Sequence, residues 1–451
     1  MVAPQSAPPL GTPQRAVMSH ALRRLLVRTR ALNWALADQA LVSGANFLTG
    51  IALARLLGIE GFGRFALALM AVQLVAAVEY AAIAAPMMAV APKRAPAAAP
   101  AYFAAVCAQQ GLVALLAGAA VAVAAWGAAG LTPDLALDGL AGPLVAATVA
   151  VPCQDFVRRA LFVRGHGGAA ALADGVRYLG PLAAFPALAA VGRLSPASAL
   201  LALAVFAALA TALGGAALGP LRWRRRAFAP AARRHWRSAK WLAPSAVVQW
   251  LSGNAFFVAA GALLGPAAVG GLKAAQTLMG VTHVVLQGLE NVVPVAAARR
   301  LHRAGKAALG TFTLRVTLAV VAATAAIAGV AAAAPGFWLA LVFGPAYDAY
   351  AESLRWFALV YVAIAAGFPL RAALRALETT RVIFLAHAAA AAFAVLAAPP
   401  LVAVAGPLGA VWGLLAATLA GDVILAAALA RALTTRRSPA PALKRAPWTA
   451  A

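Results

Sequence analysis

Apolar stretches long enough to cross a lipid bilayer recur along this chain from residue 32 to residue 433. An α-helix of about 20 residues spans the ~30 Å hydrocarbon core of a bilayer. Inside that core every backbone polar group needs a partner within the protein, so only helices and closed barrels are stable. Barrel strands would be short segments of alternating polarity, and the sequence has none. The chain is therefore predicted to be an all-α, polytopic membrane protein.

We predict about twelve spans, arranged as two six-helix bundles. They cover residues 32–57, 62–85, 102–126, 140–163, 169–191, 197–218, 241–264, 271–296, 309–333, 353–374, 382–404 and 408–433. The fifth span is interrupted by Gly175, Gly180, Pro181 and Pro186. Such breaks are tolerated in helical bundles, where neighbouring helices satisfy the freed backbone groups.

The two halves of the chain carry a weak internal repeat. The letters LLG at 56–58, Gly63 and LMAV at 69–72 recur as LLG at 263–265, Gly270 and LMGV at 278–281. The first two elements are displaced by 207 positions and the third by 209. Each copy also has one glutamate, Glu79 or Glu290, followed closely by a proline. Such a repeat is typical of carriers built from two related helical bundles.

Basic residues alternate between the two sides of the predicted membrane. If the N-terminus is cytoplasmic, the inner segments hold the lysines and arginines at 15–30, 93–94, 158–164, 222–240, 299–306, 371–381 and 431–445. The outer segments keep only Arg55, Arg64, Arg193, Lys273 and Arg355. Because basic residues are retained on the cytoplasmic side, both termini are predicted to be cytoplasmic, in a bacterial inner membrane.

The same pattern accounts for the net charge of +25 in a chain that is 64% hydrophobic and only 11% charged. Basic loops that lie against anionic headgroups explain it, and no nucleic-acid partner is needed. The predicted organisation is a basic tail with an interfacial helix at 1–31, a six-helix bundle at 32–221 and a basic connector at 222–240. A second bundle at 241–433 and a basic tail at 434–451 follow.

The sequence carries no motif that would indicate an enzyme, a metal site or a cofactor. It has no nucleophile–base pair, no paired-acid motif and no phosphate-binding Gly-Lys-Ser/Thr loop. Cys107 and Cys153 lie inside or beside spans, which favours packing roles. Transport would then draw on an ion gradient or on the substrate's own gradient.

Ionisable residues within a membrane are costly and should face the interior of the bundle. Those within predicted spans are Asp38, Glu79, Asp174, Arg177, Glu290 and Asp422. Arg177, together with Arg55, Lys273 or Arg355 near outer span ends, could line a cationic cleft, since guanidinium binds phosphate with two parallel hydrogen bonds. Alternatively, Asp174 and Arg177 neutralise each other on one helix face, and the outer basic residues extend to the headgroups.

Three acidic residues are candidates for ion coupling. Burial of Glu79 and Glu290, at nearly corresponding positions of the two repeats, would allow them to exchange protons, although both could equally serve packing. Asp38 lies near the cytoplasmic end of the first span, where a solvated vestibule would explain it. The eighth span also places His283, Gln287 and Asn291 on one face with Glu290. This face would line a cavity or form a polar seam between helices.

Several segments together resemble a known family. They are ADQA at 37–40, SGANF at 43–47, ALARLLG at 52–58, GFGRF at 61–65, FGPAY at 343–347 and ALRALE at 373–378. These segments resemble Wzx-type polysaccharide and O-antigen flippases, which belong to the multidrug/oligosaccharidyl-lipid/polysaccharide (MOP) exporter superfamily. The six-plus-six plan agrees with this resemblance.

The resemblance implies alternating access by two bundles. The expected substrate is a polyprenyl-diphosphate-linked oligosaccharide, flipped from the inner to the outer leaflet of the lipid bilayer, with polymerases or glycosyltransferases of polysaccharide assembly as further partners. Cations would receive the diphosphate while the lipid tail stays in the bilayer.

Four alternatives remain open at the level of the sequence. A proton- or sodium-coupled drug antiporter of the same superfamily would use Asp38, Glu79 and Glu290. A peptidoglycan-precursor flippase would have two more spans than we predict. An integral-membrane glycan polymerase or ligase would need a large outer loop with catalytic residues, which is missing here. A major-facilitator carrier would have an Asp-Arg motif in its second loop, which reads APKRA at 91–95.

Overall fold

The computed structural model describes the backbone of residues 13–131, 139–290 and 292–435. Side chains are described for 41–127, 139–282, 286, 289 and 292–435. Throughout these residues the chain is helical and contains no strand. Seven of the described helices are long and apolar enough to cross a membrane. The chain is therefore a polytopic all-α membrane protein, as the sequence predicts.

Twelve α-helices follow one another in the described chain, with short π- and 3₁₀-helical turns between some of them. They are α1 (Pro13–Glu79), α2 (Ala85–Val90), α3 (Ala99–Leu131), α4 (Ala141–Val163), α5 (Gly167–Ala190), α6 (Pro196–Ala216), α7 (Arg225–Leu264), α8 (Pro266–Glu290), α9 (Val293–Ala333), α10 (Pro335–Phe343), α11 (Ala351–Ala376) and α12 (Thr380–Thr434). A π-helix, Tyr80–Ala84, joins α1 to α2, and 3₁₀ turns occupy Ala91–Lys93, Pro96–Ala98 and Pro345–Tyr350.

Each predicted span falls within or largely within these helices, but the spans and helices do not correspond one to one. Helix α1 contains the first span and most of the second on either side of a break at Gly58, and α12 contains the last two on either side of a break at Gly406. Helices α4 and α5, which carry more polar residues, are not among the seven apolar ones.

The fifth predicted span, 169–191, is a single helix despite its prolines. Helix α5 runs from Gly167 to Ala190 with Pro181 and Pro186 inside it. Neighbouring helices and local adjustment of the backbone can satisfy the groups that an internal proline leaves unpaired within a membrane protein.

The chain divides into two compact units. The first consists of residues 1–56 and 71–243, and the second of residues 57–70 and 244–451. The predicted bundles meet at the 222–240 connector, whereas the second unit begins at Pro244 and also takes in a short segment of α1.

The core of the first unit is built from small and aromatic side chains of neighbouring helices. Met87 of α2, Phe103 of α3 and Phe156 of α4 are almost completely buried in one cluster, together with Ala231 at the start of α7. Small residues let helix backbones approach closely where hydrocarbon offers no hydrophobic driving force. The alanine-rich sequence thus favours tight packing, and it is this packing that positions the buried polar groups described below.

The second unit contains a close backbone crossing at two glycines. A Cβ built on Gly63 would overlap the carbonyl oxygen of Pro266 and lie 2.9 Å from the amide nitrogen of Gly270. A Cβ built on Gly270 would overlap the carbonyl oxygen of Ile59 and lie 3.2 Å from the amide nitrogen of Gly63. The two contacts mirror each other, since Ile59 and Pro266 are also 207 positions apart.

Turn geometry supports the internal repeat. Gly58 and Gly265, which are 207 positions apart, both adopt left-handed φ values, of 70° and 87°. Gly192 and Gly406 also share this conformation, with φ values of 67° and 60°. Each of these glycines lies at a break or a connection between helical segments, as expected for a residue without a Cβ. The repeat therefore extends from sequence letters to helix boundaries.

Candidate functional site

Glu79 is a buried carboxylate at a break in helical geometry. It is the last residue of α1 and is followed at once by the π-helix Tyr80–Ala84. Its side chain is 1% exposed. A π-helical turn inside a longer helix is uncommon and is frequently found at functional sites. The predicted ion-coupling residue therefore occupies an unusual backbone position.

The surroundings of Glu79 satisfy only part of its hydrogen-bonding capacity. Gln110 of α3 donates a short hydrogen bond from Nε2 to Oε2 of Glu79, whereas the buried Oε1 atom has no hydrogen-bond partner. Among the described residues, no salt bridge reaches this carboxylate. A buried carboxylate without a cationic partner is costly in its charged form, so this group is suited to exchanging a proton or binding a cation.

Helix α4 carries polar residues towards several neighbours within one turn and a half. Gln154 and Arg158 both reach Asp174 of α5, which is fully buried. Gln154 donates to Oδ1 at 2.5 Å, and Arg158 forms a short salt bridge with Oδ2. The guanidinium carbon of the next residue, Arg159, lies 4.2 Å from the ring centroid of Tyr80. Asp174 is thus neutralised across two helices.

The direct salt-bridge partner of Asp174 is therefore Arg158 and not Arg177, which is three residues away on the same helix. Arg177 instead lies beside Tyr178, with its guanidinium carbon 5.0 Å from the centroid of that ring. Its Nε atom is buried without a hydrogen-bond partner. Asp155 and Asp174 contribute favourable electrostatics, yet no salt bridge joins Arg177 to a carboxylate in the part of the chain that the structure describes.

Lys273 is the comparable cation of the second unit. Its ammonium lies 3.8 Å from the ring centroid of Phe257 and donates a 2.9 Å hydrogen bond to Oε1 of Gln276. Phe257 in turn stacks on Phe357 of α11 at 6.2 Å. Lys273 is half-buried and directed against an aromatic ring, and no described carboxylate forms a salt bridge with it.

The other two predicted cleft cations have exposed side chains. Arg55 is exposed at the outer part of α1. Arg355 forms a 3.0 Å salt bridge with Glu352, and both side chains are about half exposed. The structure therefore separates the four candidates into two half-buried cations, Arg177 and Lys273, and two exposed ones.

The second unit contains one more half-buried charge contact that the sequence did not assign. Oδ1 of Asp422 lies against Gly367, and Nη1 of Arg371 would lie 2.8 Å from a Cβ on that glycine. Arg371 and Asp422 thus face each other across α11 and α12, with favourable electrostatics between them, although Oδ2 of Asp422 has no hydrogen-bond partner. Asp422 therefore has a cationic neighbour, whereas no salt bridge among the described residues reaches Glu79.

Five predicted site residues cannot be placed. The side chains of Asp38, His283, Gln287 and Glu290, and the whole of Asn291, lie outside the described residues. Their assignment to ion coupling and to a polar cavity face remains a prediction. Within the described residues no group of three His, Cys, Asp or Glu side chains could hold a metal ion.

Sequence reasoning missed the partners of the buried acids. Gln110, Gln154, Arg158 and Arg371 all lie inside helices where a polar residue requires an explanation. Two glutamines and two arginines inside helices were the available signal. Which acid each would contact depends on helix rotation, which the sequence pattern does not give.

No family model matches the sequence, and no curated protein is found similar to it. The fold does match solved structures. An inward-facing multidrug resistance MATE family transporter of the MOP superfamily matches with a TM-score of 0.71 at 14% identity, covering 88% of this chain and 96% of that one. A MOP superfamily transporter from Pyrococcus furiosus, described as having a binding pocket of reverse polarity, matches with a TM-score of 0.56 at 13% identity over 90% of this chain and 96% of that one.

An outward-facing MATE family transporter matches with a TM-score of 0.55 at 11% identity, over 91% of this chain and 96% of that one. All three structures belong by their descriptions to the MOP superfamily. The chain therefore has the fold of MOP superfamily transporters. This agrees with the superfamily that the sequence motifs indicated, while the Wzx subtype is a finer distinction than fold similarity addresses.

Proposed function

We propose that this protein is a MOP-type membrane transporter that flips a polyprenyl-diphosphate-linked oligosaccharide from the inner to the outer leaflet by alternating access. It would reside in a bacterial inner membrane with both termini in the cytoplasm and supply the enzymes of surface polysaccharide assembly. The shared transporter fold and the Wzx-like segments support transport rather than catalysis.

The observation that carries the substrate class is the environment of Arg177. This guanidinium lies 5.0 Å from the ring centroid of Tyr178, and among the described residues no salt bridge joins it to a carboxylate. A cation kept in this way retains its charge for an incoming anion, and guanidinium pairs with phosphate through two parallel hydrogen bonds. Lys273 of the second unit offers a further candidate cation, again supported by an aromatic ring.

A second candidate function rests on a different observation. The unpaired carboxylate of Glu79 beside a π-helix is suited to proton or sodium coupling, which a drug or cation antiporter of the same superfamily would need. The MATE transporters of similar fold make this the principal alternative. Coupling through Glu79 is also compatible with a flippase, so it does not by itself decide the substrate.

The deciding experiment is a transport assay in proteoliposomes that contain the full-length protein. A fluorescent polyprenyl-diphosphate oligosaccharide would be followed by its accessibility to a membrane-impermeant quencher, with a cationic dye as a parallel substrate. Movement of the lipid-linked sugar alone would support the flippase. Proton-driven movement of the dye alone would replace the flippase by the antiporter.

A further inference from the structure

In the first unit, arginines lie against two neighbouring aromatic rings, Tyr102 and Phe103. The guanidinium carbon of Arg94 lies 4.9 Å from the ring centroid of Tyr102. That of Arg164 lies 5.0 Å from the ring centroid of Phe103. The two rings meet edge to face with their centroids 5.8 Å apart. Each guanidinium group therefore packs on one of two adjacent rings.

The start of α7 adds a third arginine to this group. His235 is 2% exposed, and its Nε2 atom is hydrogen-bonded to the hydroxyl of Tyr102 at 2.9 Å. The neighbouring Arg234 is exposed. Arg94 and Arg234 both act electrostatically on Tyr102 and His235. We name Arg94, Arg164 and Arg234 the arginine cluster.

The arginine cluster is incompletely satisfied within the protein. Nε of Arg94, Nη1 of Arg164 and Nδ1 of His235 are buried and have no hydrogen-bond partner. No salt bridge among the described residues reaches any of the three arginines. Like charges that are brought together repel each other, and buried N–H groups without acceptors are unfavourable. An anion with several acceptor oxygens would relieve both conditions.

The position of the cluster indicates which anion is available. The three arginines come from three different segments that the sequence predicts to be cytoplasmic. Trp236, next to His235, is 66% exposed, and Trp223 is 59% exposed. Exposed tryptophans of a membrane protein concentrate at the level of the lipid headgroups. Phosphate esters of the inner leaflet would therefore lie within reach.

We infer that the arginine cluster, with His235 and Tyr102, is a binding site for the phosphate of an anionic phospholipid headgroup. Guanidinium groups are weakly hydrated and match phosphate oxygens geometrically. A bound headgroup would tie the beginning of α7 to α3, adding to the 3.0 Å hydrogen bond from Nε2 of Gln109 to the carbonyl oxygen of Phe228. This site is independent of the transported substrate, so it can be tested without a transport assay.

The test measures lipid binding to the purified full-length protein. Phosphatidylglycerol and phosphatidylcholine are added separately in detergent, and bound lipid is counted by native mass spectrometry while thermal unfolding is followed in parallel. We expect phosphatidylglycerol to bind and raise the unfolding temperature, and phosphatidylcholine to do neither. Equal binding of both lipids would overturn the inference, because the phosphate of phosphatidylcholine has its charge balanced by choline.

Variants localise the effect. In R94Q/R164Q we expect at least ~10-fold weaker phosphatidylglycerol binding, since hydrogen bonds to charged groups are worth about that factor each. The matched control R222Q/R225Q removes two exposed arginines from the same unit and should bind like the wild type. Unchanged binding by R94Q/R164Q, or an equal loss in the control, would overturn the site.

Two further measurements complete the test, one on a lysine variant and one with a soluble phosphate compound. R94K/R164K keeps the charges but loses the planar fork, so several-fold weaker binding is expected even if the glutamine pair fails to fold, and unchanged binding would count against the inference. Inorganic pyrophosphate supplies the same phosphate chemistry in free form. If pyrophosphate stabilises the protein as strongly as phosphatidylglycerol and displaces it, the site serves a soluble diphosphate and the lipid assignment is wrong.

Discussion

The helix backbones cross at Gly63 and Gly270, with no side chain between them. The two glycines are equivalent positions of the internal repeat, 207 residues apart. The same four residues, Ile59, Gly63, Pro266 and Gly270, form both halves of this contact. The crossing is possible only because both positions lack a Cβ. Two equivalent residues of the sequence repeat are thus in direct contact.

We expect Gly63→Ala to destabilise the protein by about 1–3 kcal/mol, the range for overpacking a tight contact. The added methyl group would overlap the carbonyl oxygen of Pro266, so the helices must move apart. Thermal unfolding followed by tryptophan fluorescence would measure this. Gly253→Ala is the control, because its Cβ meets nothing within 4 Å and alanine favours a helix by up to ~1 kcal/mol. Equal effects of the two variants would contradict the crossing.

The buried pair between Arg158 and Asp174 gives a second prediction. Asp174→Leu removes the buried carboxylate that forms the salt bridge with Arg158, which should cost about 3–5 kcal/mol of stability. Adding Arg158→Met should recover most of the loss, since a buried pair and an apolar pair of similar volume are often equivalent. Unfolding temperatures of the single and double variants provide the measurement.

The exposed pair between Glu352 and Arg355 serves as its control. Both side chains are about half exposed, so Glu352→Leu should change stability by no more than about 1 kcal/mol. A loss as large as that of Asp174→Leu would show that exposure does not separate the two pairs. Failure of Arg158→Met to rescue Asp174→Leu would show that Asp174 has another essential partner.

Arg177→Gln should abolish most of the transport of the lipid-linked oligosaccharide while the protein still inserts and folds. Loss of charged hydrogen bonds to a diphosphate predicts a reduction of about 10- to 100-fold in apparent affinity. Arg177→Lys should retain part of the activity, because it keeps the charge without the fork. The control is Arg193→Gln, an exposed arginine just beyond α5. Wild-type transport by Arg177→Gln would leave Arg177 with a structural role only.

Glu79→Gln should preserve the fold and remove any dependence of the transport rate on the proton gradient. Glutamine has nearly the same shape and can still bond to Gln110, but it cannot exchange a proton. Transport rates across a series of imposed pH gradients would be compared with those of Glu60→Gln, which changes an exposed glutamate paired with Arg64. A Glu79→Gln variant that keeps the full gradient dependence would exclude coupling through this residue.

The location of the helices was predictable from the sequence, whereas the backbone conformation of some individual residues was not. Hydrophobic length alone located the spans, because a bilayer leaves few alternatives to a helix. The LLG repeat indicated two related bundles, and its glycines, Gly58 and Gly265, share a left-handed φ. By contrast, Glu378 adopts a φ of 58°, a conformation that no feature of its side chain predicts. Glycine occupies the matching helix end at Gly165, with a φ of 79°.

Partner choice among the buried charges could not be predicted from spacing. Asp174 and Arg177 are three residues apart on α5, which suggested a pair on one face. The packing of α4 against α5 brings Arg158 closer to Asp174, although 16 residues separate them along the chain. Such pairing depends on the rotation of each helix about its axis, and an alanine-rich surface constrains that rotation only weakly.

The π-helix at Tyr80–Ala84 joins α1 to α2 without a break and determines which side chains of the two helices lie on the same face. Its wide turn holds one more residue than an α-turn, and successive residues of an α-helix differ by about 100° around the axis. Glu79, Ala84 and Met87 are all buried in the presence of that extra residue. Deleting Ala81 or Ala82 would make the helix regular, and the same rotation would carry Glu79 away from the side on which Met87 packs. The extra residue of the π-turn therefore rotates the helix on one side of it relative to the other. The environment of Glu79 depends on this rotation as much as on the carboxylate itself.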